Sequence, residues 1–330
     1  MRNSRRISIR RAAAALSLAA LGAVAACSSQ STPVAAPVAK TGSSSAGHSS
    51  SGSPASANPG TGNVGAVNAL IANEAPAPAS AIAADAVAAK IRSSGTLVVG
   101  GVETAPLFSL LDPATGHVSG FDAGISQLLA KYITGKNSTK LVNVTADTRE
   151  ALLENHSVDV VVATYTITPA RAKLVRFAGP YFEDGLGIAV RTGTTGITSA
   201  ADLAGKTVVT ESGSTIPTAV KAVAPTAKIQ LFGTDAECVQ ALEQGRADAY
   251  VLDQGVLAGD ALTNPGIKVL PAAFDEQPLG IGVPHNEPQF EAFVNTWLQK
   301  IESDGTWAKL WKATIGTAIS GQTPVPPKVG

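Results

Sequence analysis

Residues 158–171 read VDVVVATYTITPAR, an apolar run that passes directly into a polar one. A short, continuous run of Val and Ala is typical of a buried strand. Thr168 followed by Pro169 is typical of a helix start, because threonine caps free backbone N–H groups and proline fits the first helical position. The order predicts a strand, a loop and a helix, with Arg171 in the first helical turn at the edge of the sheet where α/β proteins bind ligands.

Arg171 points to an anion at this edge. A cation in the first turn of a helix faces the positive end of the helix dipole, which is unfavourable unless an anion lies there. The guanidinium fork, the hydroxyls of Thr164 and Thr166 and free backbone N–H groups together suit one carboxylate. The alternative is a surface arginine that pairs with Glu183 or Asp184.

Short apolar strands alternate with helices on both sides of this stretch. Strands are predicted over residues 96–100, 140–144, 158–163, 186–190, 207–210, 228–232 and 247–252, and helices over 121–133, 149–155, 216–223 and 236–244. Helical spacing also predicts a helix over 79–93 and a helix pair that contains all three tryptophans after residue 290. The alternation predicts layered α/β architecture.

Two segments share one local pattern, residues 153–161 and 242–250. In each, a helix ends, an aspartate follows a leucine by six positions, and an apolar strand begins. The aspartates are Asp159 and Asp248. We interpret the segments as equivalent positions in two lobes of similar design.

The N-terminal residues have the form of an export signal. Five arginines precede a short apolar run over residues 12–26, and small residues lead to Cys27. A run of about 15 residues is short for a membrane-spanning helix, which needs roughly 20. Residues 1–26 resemble a bacterial lipoprotein signal peptide, which implies a lipid on Cys27; ordinary secretion is the alternative. Residues 27–76, rich in Ser, Ala, Pro and Gly, are predicted to form a disordered tether after the lipidated cysteine.

Charge and composition exclude several kinds of function. Of the 25 Lys and Arg residues, five precede residue 27, where no acid occurs, so 20 basic residues remain beside 25 acidic ones. This excess of acid argues against a nucleic-acid partner. The four histidines are far apart, and Cys238 is the only cysteine besides Cys27, so no metal site is expected. No nucleophile elbow or nucleotide-binding loop occurs, so we expect no catalytic residue and no cofactor.

An ordered set of short motifs runs from about residue 94 to 313. It comprises Gly120-Phe121-Asp122, Arg149 with Leu152, Val158-Asp159, the loop 164–171, Phe177-Ala178-Gly179-Pro180-Tyr181-Phe182, Gly205-Lys206, Ser212-Gly213-Ser214-Thr215, residues 245–249, Asp253 and Gly280-Ile281-Gly282-Val283. This set resembles the polar amino acid binding proteins of ABC importers, bacterial solute-binding protein family 3, of the glutamate- or glutamine-binding lipoprotein type. The resemblance implies a periplasmic-binding-protein-like fold of class II, with two α/β lobes joined by two crossing hinge segments. Lobe 1 is expected over residues 77–188 and 284–330, and lobe 2 over 189–283, with the crossings at 186–191 and 279–284.

The resemblance also implies roles for individual residues. Arg171 would hold the α-carboxylate of an amino acid, flanked by Thr164 and Thr166. Asp253 would pair with the α-amino group. The alternative is that Asp253 caps the helix that begins near Gly255. From the second lobe, the resemblance adds the donors Ser214 and Thr215.

Two further residues concern the side chain of the ligand. An arginine at the place of Arg149 faces the ligand side chain in family members that bind acidic amino acids, since a second cation suits a second carboxylate. Phe108 is the candidate for the aromatic wall against the aliphatic part of the ligand. Val102 and Gly124 depart from the residues usual in the family.

The function implied by the resemblance is capture of an extracytoplasmic amino acid for an ABC permease, by a protein anchored to the cell membrane through lipid. Glutamate or aspartate is the expected ligand, with glutamine or asparagine as the alternative. A sensor that reports to a membrane signalling partner is a second hypothesis. A dehydratase-like enzyme on the same fold is a third, although we expect no enzymatic activity.

Overall fold

The computed structural model describes residues 58–319 and 323–330. The predicted signal peptide, Cys27 and most of the predicted tether lie outside the described residues.

Within the described ranges, helices and strands alternate as the sequence predicts. The helices are α1 Val64–Asn73, α2 Ala79–Ala83, α3 Ala86–Ser94, α4 Phe121–Thr134, α5 Arg149–Glu154, α6 Ile216–Val223, α7 Asp235–Glu243, α8 Gln254–Thr263, α9 Pro288–Ser303 and α10 Thr306–Ala313. The strands are β1 Leu97–Gly101, β2 Thr104–Ala105, β3 Ser109–Leu111, β4 Val118–Ser119, β5 Thr139–Asn143, β6 Val160–Val161, β7 Val175–Arg191, β8 Thr207–Glu211, β9 Lys228–Phe232, β10 Ala249–Asp253, β11 Ile267–Val269 and β12 Phe274–Pro284.

The larger sheet of the described residues runs through both halves of the molecule. Its strand order is β5-β1-β6-β12-β7-β10-β8-β9, with β11 paired to β7; β2, β3 and β4 form a separate small sheet. Strands β5, β1 and β6 pair in parallel at one end, and β10, β8 and β9 pair in parallel at the other. Parallel strands joined through helices build each end as an α/β unit.

Strands β7 and β12 join these two units. They pair antiparallel from Val175 opposite Pro284 to Leu186 opposite Phe274. One end of this ribbon pairs with β6 through Gly282, and the other end of β7 pairs with β10 and β11. The chain therefore forms two α/β lobes with two crossing segments, which confirms the predicted fold class.

The paired ribbon crosses from one lobe to the other near residues 183–185 of β7 and 276–278 of β12. The stretches 186–191 and 279–284, expected from sequence to be the crossings, are paired strand on either side of this point. The lobe limits proposed from sequence stay a prediction.

Asp159 and Asp248 make the same bonds in the two lobes. The Val98 N–H at the start of β1 donates to Asp159 Oδ2 at 2.8 Å, and the Thr207 N–H at the start of β8 donates to Asp248 Oδ2, also at 2.8 Å. Each carboxylate thus fixes the start of the neighbouring parallel strand. The prediction that the two segments occupy equivalent positions is confirmed.

The residues before β1 are structured further toward the N-terminus than the composition predicts. Helix α1 is capped by Asn63, which accepts from the Ala66 N–H at 3.0 Å, and buries Val67 and Ile71. It packs on α4 and α10. The tether was predicted to extend to residue 76, which is wrong for residues 58–76, because two apolar residues four positions apart give α1 a face to bury.

The helix predicted over residues 79–93 is divided in two. Asp85 lies between α2 and α3 in an extended conformation, and its carboxylate accepts from the Ala88 N–H at 2.7 Å. An aspartate that caps a new helix interrupts the old one. The boundary was not predicted because alanine, which favours helix, occurs on both sides of Asp85.

The C-terminal helix pair is confirmed as α9 and α10. Trp297 and Trp307 are fully buried, and the Trp307 indole N–H donates to the Tyr181 carbonyl oxygen at 2.7 Å. Cys238 is buried in α7, as its helical neighbours predict. Among residues 58–319 and 323–330, no helix combines the length and the apolarity needed to cross a membrane.

Candidate ligand-binding site

Two adjoining cavities lie in the cleft between the lobes. The first is named here the Arg171 cavity. The second is named the distal cavity. They share five lining residues: Ala146, Arg149, Thr164, Glu211 and Leu252. Because both lobes contribute to each cavity, the cleft can hold a small molecule that contacts both lobes at once.

Arg171 lies where the strand β6 leaves the sheet, but the predicted α-helix is absent. The segment Arg171–Lys173 is a single 3-10 turn. Thr168 still stabilises the turn, because its Oγ1 accepts from the Arg171 N–H at 3.2 Å. Thr168 and Pro169 therefore begin a single turn, and this turn does not continue into a helix.

The Arg171 guanidinium is held from both lobes. Its Nη1 donates to the Thr166 carbonyl oxygen at 3.0 Å in lobe 1, and its Nη2 donates to the Gly213 carbonyl oxygen at 3.0 Å in lobe 2. The acid nearest to it is Glu150, whose Oε1 is 3.7 Å from Nε. The alternative of a surface ion pair with Glu183 or Asp184 is therefore wrong. Burial lowers the pKa of Arg171.

Arg149 is the second arginine of the cleft and is more deeply buried than Arg171. Its Nη1 donates to the Ala163 carbonyl oxygen at 2.9 Å, and its guanidinium carbon lies 3.9 Å from the centroid of the Tyr165 ring. Its Nε–H is buried without a hydrogen-bond partner. Burial, and then the neighbouring Arg171, lower the pKa of Arg149 to about 10. The guanidinium is rigidly placed, remains charged at neutral pH, and has a donor to spare.

The loop between these arginines is fixed by a buried acid. Thr164 has a positive φ of 41°, and its N–H donates to Asp122 Oδ2 at 2.8 Å. The Tyr181 hydroxyl donates to Asp122 Oδ1 at 2.7 Å. Burial raises the pKa of Asp122 to about 6. Asp122, from the start of α4, thereby holds a strained backbone at the edge of both cavities.

The lobe 2 wall is the turn between β8 and α6. The Ser214 hydroxyl donates to the Glu211 carbonyl oxygen at 2.7 Å, and the Thr215 hydroxyl donates to Gln277 Oε1 at 2.9 Å. The Ser212 hydroxyl donates to the Asp147 carboxylate of lobe 1. Together with the Arg171 bond to lobe 2, this contact marks the arrangement as closed over the cleft.

Asp253 places a buried carboxyl group at the end of β10. Its Oδ1 is buried and has no hydrogen-bond partner, and its side chain makes no capping bond to α8. Burial raises its pKa well above the ordinary value, and the nearby Asp184 and Glu211 raise it further. An ammonium group in the Arg171 cavity would supply the missing partner.

Seven of the eight ligand-binding residues predicted from sequence line the Arg171 cavity. They are Arg171, Thr164, Thr166, Thr215, Asp253, Arg149 and Ser214. The eighth, Phe108, lines neither cavity. It is fully buried in the core beside Phe121 and Phe182, and its ring abuts Gly255 of α8. Phe108 therefore lies behind the wall of the cleft.

Two polar residues that line the Arg171 cavity, Glu211 and Gln277, were missed by the sequence reasoning. Glu211 is the last residue of β8, at the carboxyl end where α/β sheets bind ligands, so its position could have drawn attention. Gln277 comes from the crossing part of β12, and no local motif marks it. Among the described residues, no group of three or more His, Cys, Asp or Glu side chains is arranged to hold a metal ion.

A cleft between two α/β lobes, with cations in one wall and an unpaired acid in another, defines a two-lobed binding protein of the class II type. The chain belongs to the bacterial extracellular solute-binding proteins, family 3, whose family model matches residues 97–317.

Two relatives and one solved structure place it within this family. It is 34% identical over 229 residues to the ABC transporter glutamine-binding protein GlnH of Bacillus subtilis (strain 168), a match that covers 69% of this chain and 84% of the relative. It is 29% identical over 235 residues to the glutamate-binding protein GluB of Corynebacterium efficiens, covering 68% and 80%. A solved structure described as an ancestral arginine-binding protein bound to glutamine is 35% identical, with a TM-score of 0.63, covering 67% of this chain and 98% of that one.

Proposed function

We propose that this chain binds a free amino acid outside the cytoplasm and presents it to an ABC permease. The observation that carries the proposal is the placement of Arg171 and Asp253 in the lining of one cavity. Free amino acids carry one carboxylate and one ammonium group on the same carbon. A guanidinium and a carboxylate that face one small cavity complement this pair of charges.

The carboxylate end of the ligand is assigned to Arg171. Two of its five N–H donors are used in the bonds to Thr166 and Gly213, so other donors remain for a ligand. The hydroxyls of Ser214 and Thr215 lie in the same lining and can turn toward an anion. The ammonium end is assigned to Asp253, whose buried oxygen lacks a partner.

The side chain of the ligand would extend past Arg149 into the distal cavity. Arg149 favours a side chain that carries an oxygen acceptor, which is the basis for expecting glutamate or aspartate. Glutamine and asparagine offer the same acceptor on a neutral amide. The printed names of relatives, which include glutamine-binding and glutamate-binding proteins, support this range of ligands.

The proposal is tested by thermal shift and calorimetry on the purified chain with the twenty amino acids. A ligand that binds only the folded protein raises its stability by RT ln(1 + [L]/Kd). We expect stabilisation by one or a few polar amino acids and loss of that effect in Arg171→Ala. No stabilisation by any amino acid would contradict the proposal. Recovery of the ligand unchanged after incubation would exclude the dehydratase-like alternative.

The place in the cell is part of the same proposal. The predicted signal and Cys27 support a lipid anchor on the outer face of the cell membrane. We expect the chain in the membrane fraction and Cys27→Ser in the soluble fraction or as an unprocessed precursor. Growth on the bound amino acid in a strain that lacks this gene would separate import from sensing, because only a transport component is needed for uptake.

A further inference from the structure

Glu211 is the acid shared by both cavities, and neither the motifs nor the carboxylate and ammonium subsites account for it. It ends β8 and lines both cavities. The Ser214 hydroxyl donates to its carbonyl oxygen at 2.7 Å, which fixes the backbone of the turn. Its side chain therefore starts from a rigid position in the part of the cleft where the two cavities join.

Arg149 is the cation on the opposite wall of the same space. The bond to the Ala163 carbonyl oxygen and the contact with the Tyr165 ring fix its guanidinium, and its buried Nε–H lacks a partner. The two side chains line both cavities, yet the ion pairs formed within 4.0 Å among the described residues do not include an Arg149–Glu211 pair. A ligand group between them would meet a donor on one side and an acceptor on the other.

We propose that Glu211 and Arg149 together select an amide side chain, that of glutamine or asparagine, over the corresponding acid. The amide carbonyl oxygen would accept from Arg149, and the amide NH₂ would donate to the Glu211 carboxylate. A glutamate or aspartate side chain has acceptors only, so it would satisfy Arg149 and place a negative charge against Glu211. This inference rests on the proposed amino acid binding. It limits the expected ligands to a smaller set than Arg149 alone indicates.

The surroundings of Glu211 make this selection depend on pH. Acids approach it from three elements: Asp235 from α7, Asp253 from β10 and Asp260 from α8. Arg149 from α5 is the cation, and Cys238 and Tyr250 complete the titratable neighbours. Burial, followed by the charge of Asp235, raises the pKa of Glu211 to about 7, while Arg149 opposes this. Below that pH a protonated Glu211 would be a hydrogen-bond donor, and it could donate to the carboxylate of an acidic ligand side chain.

The test compares glutamine with glutamate by calorimetry on the full chain at pH 8 and at pH 5.5. We expect at least a tenfold preference for glutamine at pH 8 and a smaller preference at pH 5.5. Glu211→Gln keeps the shape of the side chain and offers an NH₂ donor at both pH values. In this variant glutamate should gain affinity, the preference should fall at least tenfold at pH 8, and the pH dependence of the ratio should disappear. Glu243→Gln, an exposed acid of the same lobe, is the matched control and should behave as the unmodified chain does.

The outcomes separate the two proposals. If no amino acid binds, the proposed function and this inference both fail. If an amino acid binds but the unmodified chain prefers glutamate at pH 8, or Glu211→Gln leaves the ratio unchanged, the inference alone fails. If Glu211→Gln does not fold, the ratio in the unmodified chain at pH 8 decides, because a preference for glutamate there contradicts the inference and a preference for glutamine of at least tenfold supports it.

Discussion

Arg171 of lobe 1 donates from Nη2 to the carbonyl oxygen of Gly213 in lobe 2, at 3.0 Å. The residue assigned to the ligand carboxylate is thus also a contact between the lobes. A ligand bound to this guanidinium would be held at the point where closure brings the lobes together. If the proposed function is correct, binding and closure depend on the same side chain, as expected of a binding protein that traps its solute.

Arg171→Ala is expected to remove amino acid binding almost completely. Loss of one partner of a buried, hydrogen-bonded charge pair costs about 2 to 5 kcal/mol, so Kd should rise at least thirtyfold. Titration calorimetry with the best ligand of the unmodified chain measures this. Lys173→Ala, an exposed cation two residues further on, is the control and should leave Kd unchanged. An Arg171→Ala variant that binds normally would show that the carboxylate lies elsewhere.

Asp253→Asn is expected to have opposite effects on binding and on the stability of the ligand-free chain. The carboxyl is buried beside other acids, and its raised pKa means that ionising it is costly in the folded protein. An amide removes that cost, so the ligand-free melting temperature at pH 8 should rise. Amino acid affinity should fall at least tenfold, because the ammonium loses its charged partner. Both quantities are measured on one sample by thermal unfolding with and without ligand. A variant in which the ligand-free melting temperature and the amino acid affinity both fall would contradict the assignment.

Gly213→Ala tests closure separately from chemistry. Gly213 has φ +71°, and an added Cβ would lie 2.8 Å from the Asp147 backbone nitrogen in the opposite lobe. Closure would then be blocked while Arg171 and Asp253 stay intact. Gly205→Ala is the matched control, since Gly205 has φ +75° and no atom within 4 Å of an added Cβ. Both variants should lose similar stability through backbone strain, about 1 to 2 kcal/mol, but only Gly213→Ala should weaken binding. Equal affinity in the two variants would mean that binding does not need this contact.

The sequence predicted what local patterns encode. The strand and helix alternation, the equivalent roles of Asp159 and Asp248, and the buried Trp pair follow from apolar periodicity and capping residues, which act within a few positions of the chain. Arg171 and Asp253, chosen from sequence because they follow strands, line one cavity, since parallel strands bring their carboxyl ends together. Their role in ligand binding stays a prediction.

What the sequence left out depends on contacts between distant segments. Phe108 was expected to form the aromatic wall of the cleft, yet its ring packs in the core against Phe121 and Phe182, and Phe182 comes from a separate strand, β7. Glu211 and Arg149 come from different lobes, so their common cavity emerges only from the crossing of β7 and β12. The folded segment before residue 77 was hidden by its Ala, Gly and Pro content, although Val67 and Ile71 carry its packing.

The pair Asp235 and Asp260 predicts how stability depends on pH. Tyr250 donates its hydroxyl to Asp235 Oδ1 at 2.8 Å, and Asp260 Oδ2 is buried without a partner. Burial raises the pKa of Asp235 to about 6, and burial together with Asp235 raises the pKa of Asp260 well above its ordinary value. The unfolded chain loses these protons near pH 4, so between pH 4 and the raised values the folded protein binds more protons than the unfolded one. The free energy of unfolding therefore falls as pH rises through this window and levels off above it.

Asp260→Asn isolates the contribution of this pair. The amide keeps the shape of the side chain and can donate to Asp235, and it removes one ionisable group from the folded core. The variant should have a higher melting temperature than the unmodified chain at pH 8 and a smaller loss of stability between pH 5 and pH 8. Asp122, Asp184 and Glu211, whose pKa values burial also raises, remain in both proteins, so the difference between the two curves reports the removal of the Asp260 carboxyl group. A variant curve that runs parallel to that of the unmodified chain would show that Asp260 does not contribute to the pH dependence of stability.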